Sequence, residues 1–242
     1  MSQFDVRRIT YFHAPGAHNT ENVVRLVKER TDEGDIKRVV VASVTGQTAL
    51  RVAEGLKGRS ISVVCVSGPP SWAIYHGIEH PFVKGDLRER LEKLGVDVVD
   101  KTPSTLSGDT VDYSLARYGY MPASWVVAET LEAVGGYGLK TAVEAIVMAT
   151  DSAAVPPYMD VISVAGSDRG ADTAIVARTA YSYSVFSRDS DKRFQVMEII
   201  AMPRAKKWYK SVTIAEHVVR EIDKGEILEP TSESKWTLNF ER

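Results

Sequence analysis

A single cysteine, Cys65, stands in 242 residues. The chain can therefore close no disulfide on itself, and it cannot build a zinc site from paired cysteines. An excess of one charge is lacking too. Lys and Arg number 30 and Asp and Glu 32, for a net charge of -2, so no basic field recommends nucleic acid or an anionic membrane surface as a partner. Long apolar runs are also missing. The longest stretch free of Asp, Glu, Lys and Arg, Ser60 to Ile78, is broken by Gly68-Pro69-Pro70 and Gly77, whereas a membrane helix needs about 20 consecutive apolar residues. The opening MSQFDVRRIT carries early charges and no apolar segment of the secretory kind, so a cytoplasmic location is expected. The five histidines (His13, His18, His76, His80, His217) show no H-E-x-x-H or other metal spacing. No nucleophile elbow, Walker A loop, internal repeat or low-complexity tract occurs.

What remains is globular. Apolar residues make up 44% and charged residues 26%, enough for one sizeable core with an appendage. Short β-branched runs alternate with helical patterns. Strands are expected at Ile9–Phe12, Val39–Ala42, Ile61–Val66, Val96–Val99, Val161–Val164 and Val196–Ala201. Helices are expected from Thr20 to Gly34, from Thr48 to Leu56, around Leu87–Leu94, over Ser124–Val134, over Lys140–Ala153 and over Asp172–Ala180. Repeated βα units with short links imply right-handed crossovers, hence α/β class with an open parallel three-layer sheet. Residues 1–204 form that domain. Residues 205–242 read as a C-terminal extension, entered through the basic-aromatic run Arg204 to Lys210 and continued by a short amphipathic helix carrying Ile214, Val218 and Ile222.

In such sheets ligands bind beyond the C-terminal strand ends, and three loops there carry small or polar residues. In Ser43-Val44-Thr45-Gly46-Gln47-Thr48 a buried strand runs straight into hydroxyls, a glycine and a helix start. That combination suits an anion, most naturally phosphate; the plain alternative is a turn with Thr45 or Thr48 as N-cap. Gly166-Ser167-Asp168-Arg169-Gly170-Ala171-Asp172-Thr173 reads as a second strand–glycine loop–helix unit. There Arg169 is a phosphate partner, or Asp172 is simply an N-cap. Pro15 to Thr20 is a third loop, capped by Asn19 or Thr20, and it would lie beside the first if strands one and two were neighbours. Lys140 and Glu144, four apart, read as a helical ion pair worth a few tenths of a kcal/mol, and Cys65 as a small core residue.

In order along the chain these segments resemble a known family. They are Tyr11-Phe12 with Gly16 and Asn19-Thr20; Val40 to Ser43 with Thr45 to Ala49; Leu106-Ser107-Gly108; Ala128 to Leu131; Gly138 to Lys140 with Glu144 and Met148 to Asp151; and Arg169 to Ala174. The 38–50 segment resembles the C-terminal α/β domain of pyruvate kinase. The whole of Ile9 to Arg204 is similar to the stand-alone pyruvate kinase α/β domain-like proteins.

The resemblance implies a pyruvate kinase C-terminal domain-like fold that binds a phosphorylated small molecule or flavin nucleotide, flavin mononucleotide (FMN) foremost. Carried over by position, the phosphate falls to Ser43, Thr45, Gly46, Gln47 and Thr48, with Asn19, Gly166, Arg169, Gly170 and Thr173 around the rest of the ligand. Ser167-Asp168 stands where the family has Thr-Gly. By loop order, Trp72 and Tyr75 would cover a flavin face. The catalytic barrel of pyruvate kinase has no counterpart, so its reaction is not expected, and no catalytic residue is assigned. A flavin-dependent oxidoreductase and a non-catalytic sensor of a phosphorylated metabolite both fit, and homo-oligomerisation is left open.

Overall fold

The computed structural model of the chain describes residues 6–75, 78–104, 106, 122–167 and 169–206. The expected helix around Ile214 and the Ser107-Gly108 pair lie outside the described residues, as do Asp168 and the side chains of Trp72 and Tyr75.

The first strand, β1 (Thr10–Phe12), leads through a 3-10 turn (Ala17–Asn19) into α1 (Thr20–Thr31). Then come β2 (Arg38–Ala42), α2 (Gln47–Gly55), β3 (Ser62–Val66), α3 (Pro70–Tyr75), α4 (Gly85–Lys93) and β4 (Asp97–Val99). After α5 (Ala123–Gly135) and α6 (Tyr137–Asp151), the chain finishes the sheet with β5 (Asp160–Ala165), β6 (Thr173–Arg178) and β7 (Gln195–Pro203). Each expected strand is present. Helix α6 begins at Tyr137, three residues ahead of the expected start.

The seven strands form one sheet in the order β1-β7-β6-β5-β2-β3-β4. Helices cover both faces. Val23 and Val27 of α1, Leu50 and Val52 of α2 and Leu91 of α4 pack on Val39, Val41, Val63, Ile162 and Val176. Leu139, Val143 and Ile146 of α6 pack on Val40, Val64, Val161 and Ile175 from the other side, and α5 lies against α6. The result is a three-layer α/β architecture. Among the described residues no helix is long and apolar enough to cross a membrane.

Two expectations are corrected. The sheet is mixed: β6 runs antiparallel to both β5 and β7, while β1/β7, β5/β2, β2/β3 and β3/β4 are parallel. And the segment expected as a helix over Asp172–Ala180 is the strand β6. The cause of the misreading is burial on both faces. Ala174 and Val176 face the α1/α2 core and Ile175 and Ala177 the α6 core, and a strand apolar on both sides has no polar period to separate it from a buried helix. Its β-branched residues, Thr173, Ile175 and Val176, were the better signal. Strands one and two are not neighbours either, because β7, β6 and β5 lie between them.

Candidate functional site

The chain leaves β2, works outward to β3 and β4, and returns to place β5 on the other side of β2. The crevice between the ends of β2 and β5 is therefore the switch point of the sheet, the place where open α/β sheets bind ligands. The register pairs Val41 with Val164, which sets the Ser43 and Gly166 loops side by side.

The Ser43 loop is held from below by β3. Ser43 N–H donates to Val66 O (2.9 Å) and Gly46 N–H to Ser43 O (3.1 Å), while the Ser67 hydroxyl donates to Val44 O (2.6 Å). Gly46, rather than Thr45 or Thr48, stands at the N-cap position of α2, and the side chain that serves the helix start is that of Ser43, whose Oγ accepts from Thr48 N–H (3.1 Å) and Ala49 N–H (3.3 Å). Gly46 sits at φ +86°, and a Cβ there would lie 3.0 Å from Leu91 Cδ1 and 3.2 Å from Val83 Cγ1. Backbone conformation and close packing both call for glycine. Three amides of this turn, Val44, Thr45 and Gln47, make no hydrogen bond to another described residue, and all three residues are exposed. Thr48 is buried beneath them.

Cys65 lies under the same loop, its Sγ 3.5 Å from Ser43 O. Burial first, and the nearby Asp100 carboxylate second, push its thiol up to about 12. A thiol that stays protonated is a poor nucleophile. The folded protein is expected to resist alkylation by iodoacetamide at pH 8 and to react fully in denaturant. Stoichiometric labelling of the native state would contradict this placement.

The Gly166–Asp172 loop joins antiparallel neighbours, so no helix N-terminus stands behind it, and the reading of Asp172 as an N-cap is overturned. Asp172 is instead a fully buried carboxylate. Its Oδ2 accepts from Gly16 N–H (2.8 Å) and Ser167 N–H (3.1 Å), and its Oδ1 from the Thr173 hydroxyl (2.9 Å). Gly170, at φ +69°, would drive a Cβ to 2.3 Å from Thr20 Oγ1, the atom that accepts from Ala171 N–H (2.9 Å). A Cβ on Gly166 would meet Gly170 O at 2.3 Å. Asn19 turns inward and donates to Ala14 O (2.8 Å) and Gly16 O (3.2 Å). The structure thus stitches Asn19, Gly166, Gly170 and Thr173 into one block, with Arg169 exposed at its rim. The Ser167 hydroxyl, in a residue only 2% exposed, has no hydrogen-bond partner among the described residues.

One polar cluster is far more buried than its sequence suggests. Lys140 and Glu144, expected as a helical ion pair worth only a few tenths of a kcal/mol, are 2% and 6% exposed. Lys140 Nζ lies 2.8 Å from Glu144 Oε2 and 5.3 Å from the centroid of the Tyr137 ring. Glu144 Oε1 accepts from the Ser104 hydroxyl and from Leu106 N–H (3.1 Å), tying the segment after β4 to α6. Burial works against both charges. Glu144 and the Tyr137 and Glu132 side chains nevertheless hold the Lys140 ammonium above its ordinary value, while Lys140, Ser104 and Leu106 hold Glu144 below its own. The missed signal was helical: α6 is apolar all round, through Leu139, Ala142, Val143, Ile146 and Met148, and offers no polar face on which a charged pair could be solvated.

At the opposite end of the sheet, Arg7, Arg30, Asp35, Asp160 and Glu198 line a cleft of about 290 Å³. The Arg30 guanidinium donates from Nη1 and Nη2 to Asp35 (2.7 and 2.9 Å) and from Nε and Nη2 to Glu198 (2.9 and 3.0 Å). The hydrogen bonds from Arg30 hold the Asp35 carboxyl down to about 2. With the fork of Arg30 already filled, this cluster ties α1 to β7. Among the described residues no group of three or more His, Cys, Asp or Glu is placed to hold a metal ion. Compared with known protein families, the chain matches no family model.

Proposed function

We propose that this chain is a pyruvate kinase C-terminal domain-like protein that binds a phosphate-bearing small molecule, FMN foremost, at the C-terminal strand ends. The observation that carries the reading is the set of backbone amides of the exposed residues Val44, Thr45 and Gln47 at the start of α2. They have no acceptor among the described residues, and they stand beside a helix's positive end and at the switch point of the sheet. The loop has no Lys or Arg, so amide and hydroxyl dipoles would meet the phosphate charge. Ser43, Thr45, Gly46, Gln47 and Thr48 would hold the phosphate, with Asn19, Gly166, Arg169, Gly170 and Thr173 bordering the remainder of the ligand. A bound flavin would supply electron-transfer chemistry; the residues named here bind and orient it.

The test is titration of the full-length protein with FMN and with riboflavin, read by flavin fluorescence. FMN is expected to bind more tightly than riboflavin, which lacks the phosphate. Thr45→Val combined with Thr48→Val is expected to weaken FMN binding by about 1–3 kcal/mol, the cost of removing partners from a charged acceptor. Unchanged FMN affinity in the double variant would place the phosphate elsewhere. A protein that ignores both flavins but binds fructose 1,6-bisphosphate would instead be a metabolite sensor.

A further inference from the structure

We infer that Ser67, at the end of β3, is a positioning residue for the phosphate loop, an inference that rests on the phosphate-binding reading above. In a trans peptide the C=O of one residue and the N–H of the next point in opposite directions. The Ser67 hydroxyl, in a residue only 4% exposed, pins Val44 C=O toward β3 at 2.6 Å, and so the N–H of Thr45 is turned away from the sheet. The preceding peptide is fixed in the same sense. Ser43 C=O is engaged by Gly46 N–H at 3.1 Å and approached by Cys65 Sγ at 3.5 Å, which turns the N–H of Val44 outward. Two successive amides are therefore turned outward, that of Thr45 because Ser67 holds the Val44 carbonyl and that of Val44 because Gly46 and Cys65 engage the Ser43 carbonyl.

The loop after the neighbouring β5 holds a second polar group. There the Ser167 hydroxyl is buried, in a residue 2% exposed, without a hydrogen-bond partner among the described residues. A polar group is rarely left so in a folded protein. The loops that follow β2 and β5 flank the switch point from its two sides. Ser67 makes no contact with the ligand in this account; it acts through the Val44–Thr45 peptide.

Inorganic phosphate, titrated into the 15N-labelled full chain and followed amide by amide, tests the inference. In the wild type the Val44, Thr45 and Gln47 amides are expected to shift together. Ser67→Ala should weaken phosphate binding at least fivefold and abolish the Thr45 shift while leaving part of the Gln47 shift, because Gln47 belongs to α2 and is not held by Ser67. Ser67→Thr, which keeps the hydroxyl, should bind within about twofold of wild type. A purely structural role would lower all three amide responses in proportion to lost folded protein, and thermal melting of each variant measures that loss. Equal responses in wild type and Ser67→Ala would overturn the role of Ser67 alone. A wild-type loop silent toward phosphate, FMN and fructose 1,6-bisphosphate would overturn the binding reading, and the role of Ser67 with it. Should Ser67→Ala fail to fold, the wild-type titration still decides: a Thr45 amide that does not move while Gln47 does is incompatible with the inferred orientation.

Discussion

Replacing Glu144 by Leu is expected to cost about 3–5 kcal/mol of folding stability, the range for breaking a buried ion pair by removing one partner. The change strands the Lys140 ammonium in a site 2% exposed and deprives the Ser104 hydroxyl and Leu106 N–H of their acceptor. Lys140→Met should cost a similar amount, since it leaves the Glu144 carboxylate, in a residue 6% exposed, buried without its cation. The double variant should recover much of the loss, because replacing a buried pair with apolar residues is often neutral. It should not recover all of it, since Leu106 N–H stays unsatisfied, at about 1–3 kcal/mol. Urea denaturation of the four proteins makes the cycle; a single-variant loss below about 1 kcal/mol would return the pair to the surface.

The sign of the pH dependence follows from the two shifts. Glu144 is held below its ordinary value. Its contribution is therefore present above the unfolded carboxylate value of about 4.3 and is lost as pH falls through the lower folded value. Lys140 is held above its ordinary value. Its contribution is present below the unfolded value of about 10.4 and is lost as pH rises through the higher folded one. The coupling between the two residues should be flat across neutral pH and should decline only toward both extremes.

Sequence pattern carried the architecture where one face of an element differs from the other, or where an element is short and β-branched. Strands β2 and β3 and helices α1, α2 and α4 fall within a few residues of their expected bounds. The pattern fails at β6, where burial on both faces erases the period, and so a strand that runs against both of its neighbours reads as a helix. It fails again at Lys140 and Glu144. An i, i+4 spacing says that two charges can meet but does not say whether water reaches them. The Ser43–Thr48 turn is legible as a strand-to-helix turn because its message is local: strand, hydroxyl, glycine, helix. The part of Ser43 at the helix start and the support from Ser67 are not. Both depend on which carbonyl lies opposite which hydroxyl across neighbouring strands, and spacing along the chain does not encode that. Asp172 is the extreme case, since its partner Gly16 is 156 residues away.

Asp172→Ala is accordingly expected to be the most damaging change in the strand-end loops, at about 3–5 kcal/mol. One buried carboxylate accepts two backbone amides and a hydroxyl, and hydrogen bonds to a charged acceptor are worth about 1.5–3 kcal/mol each, without full additivity. Its removal leaves Gly16 N–H and Ser167 N–H unpaired and opens a space against Gly138, whose backbone lies so close that a Cβ there would meet Asp172 Oδ1 at 2.9 Å. Asp172→Asn should be much milder, at about 1–2 kcal/mol. The amide oxygen can take the place of Oδ2 and accept from both N–H groups, while the amide nitrogen faces Thr173 Oγ1, a hydroxyl that can turn from donor to acceptor. The two variants thus separate charge from geometry. Hydrogen exchange supplies the residue-level check: Gly16 and Ser167 amides should lose protection in the Ala variant and keep most of it in the Asn variant. Equal losses in both would mean that the negative charge, rather than the acceptor geometry, holds the N-terminal loop against the β5–β6 connection.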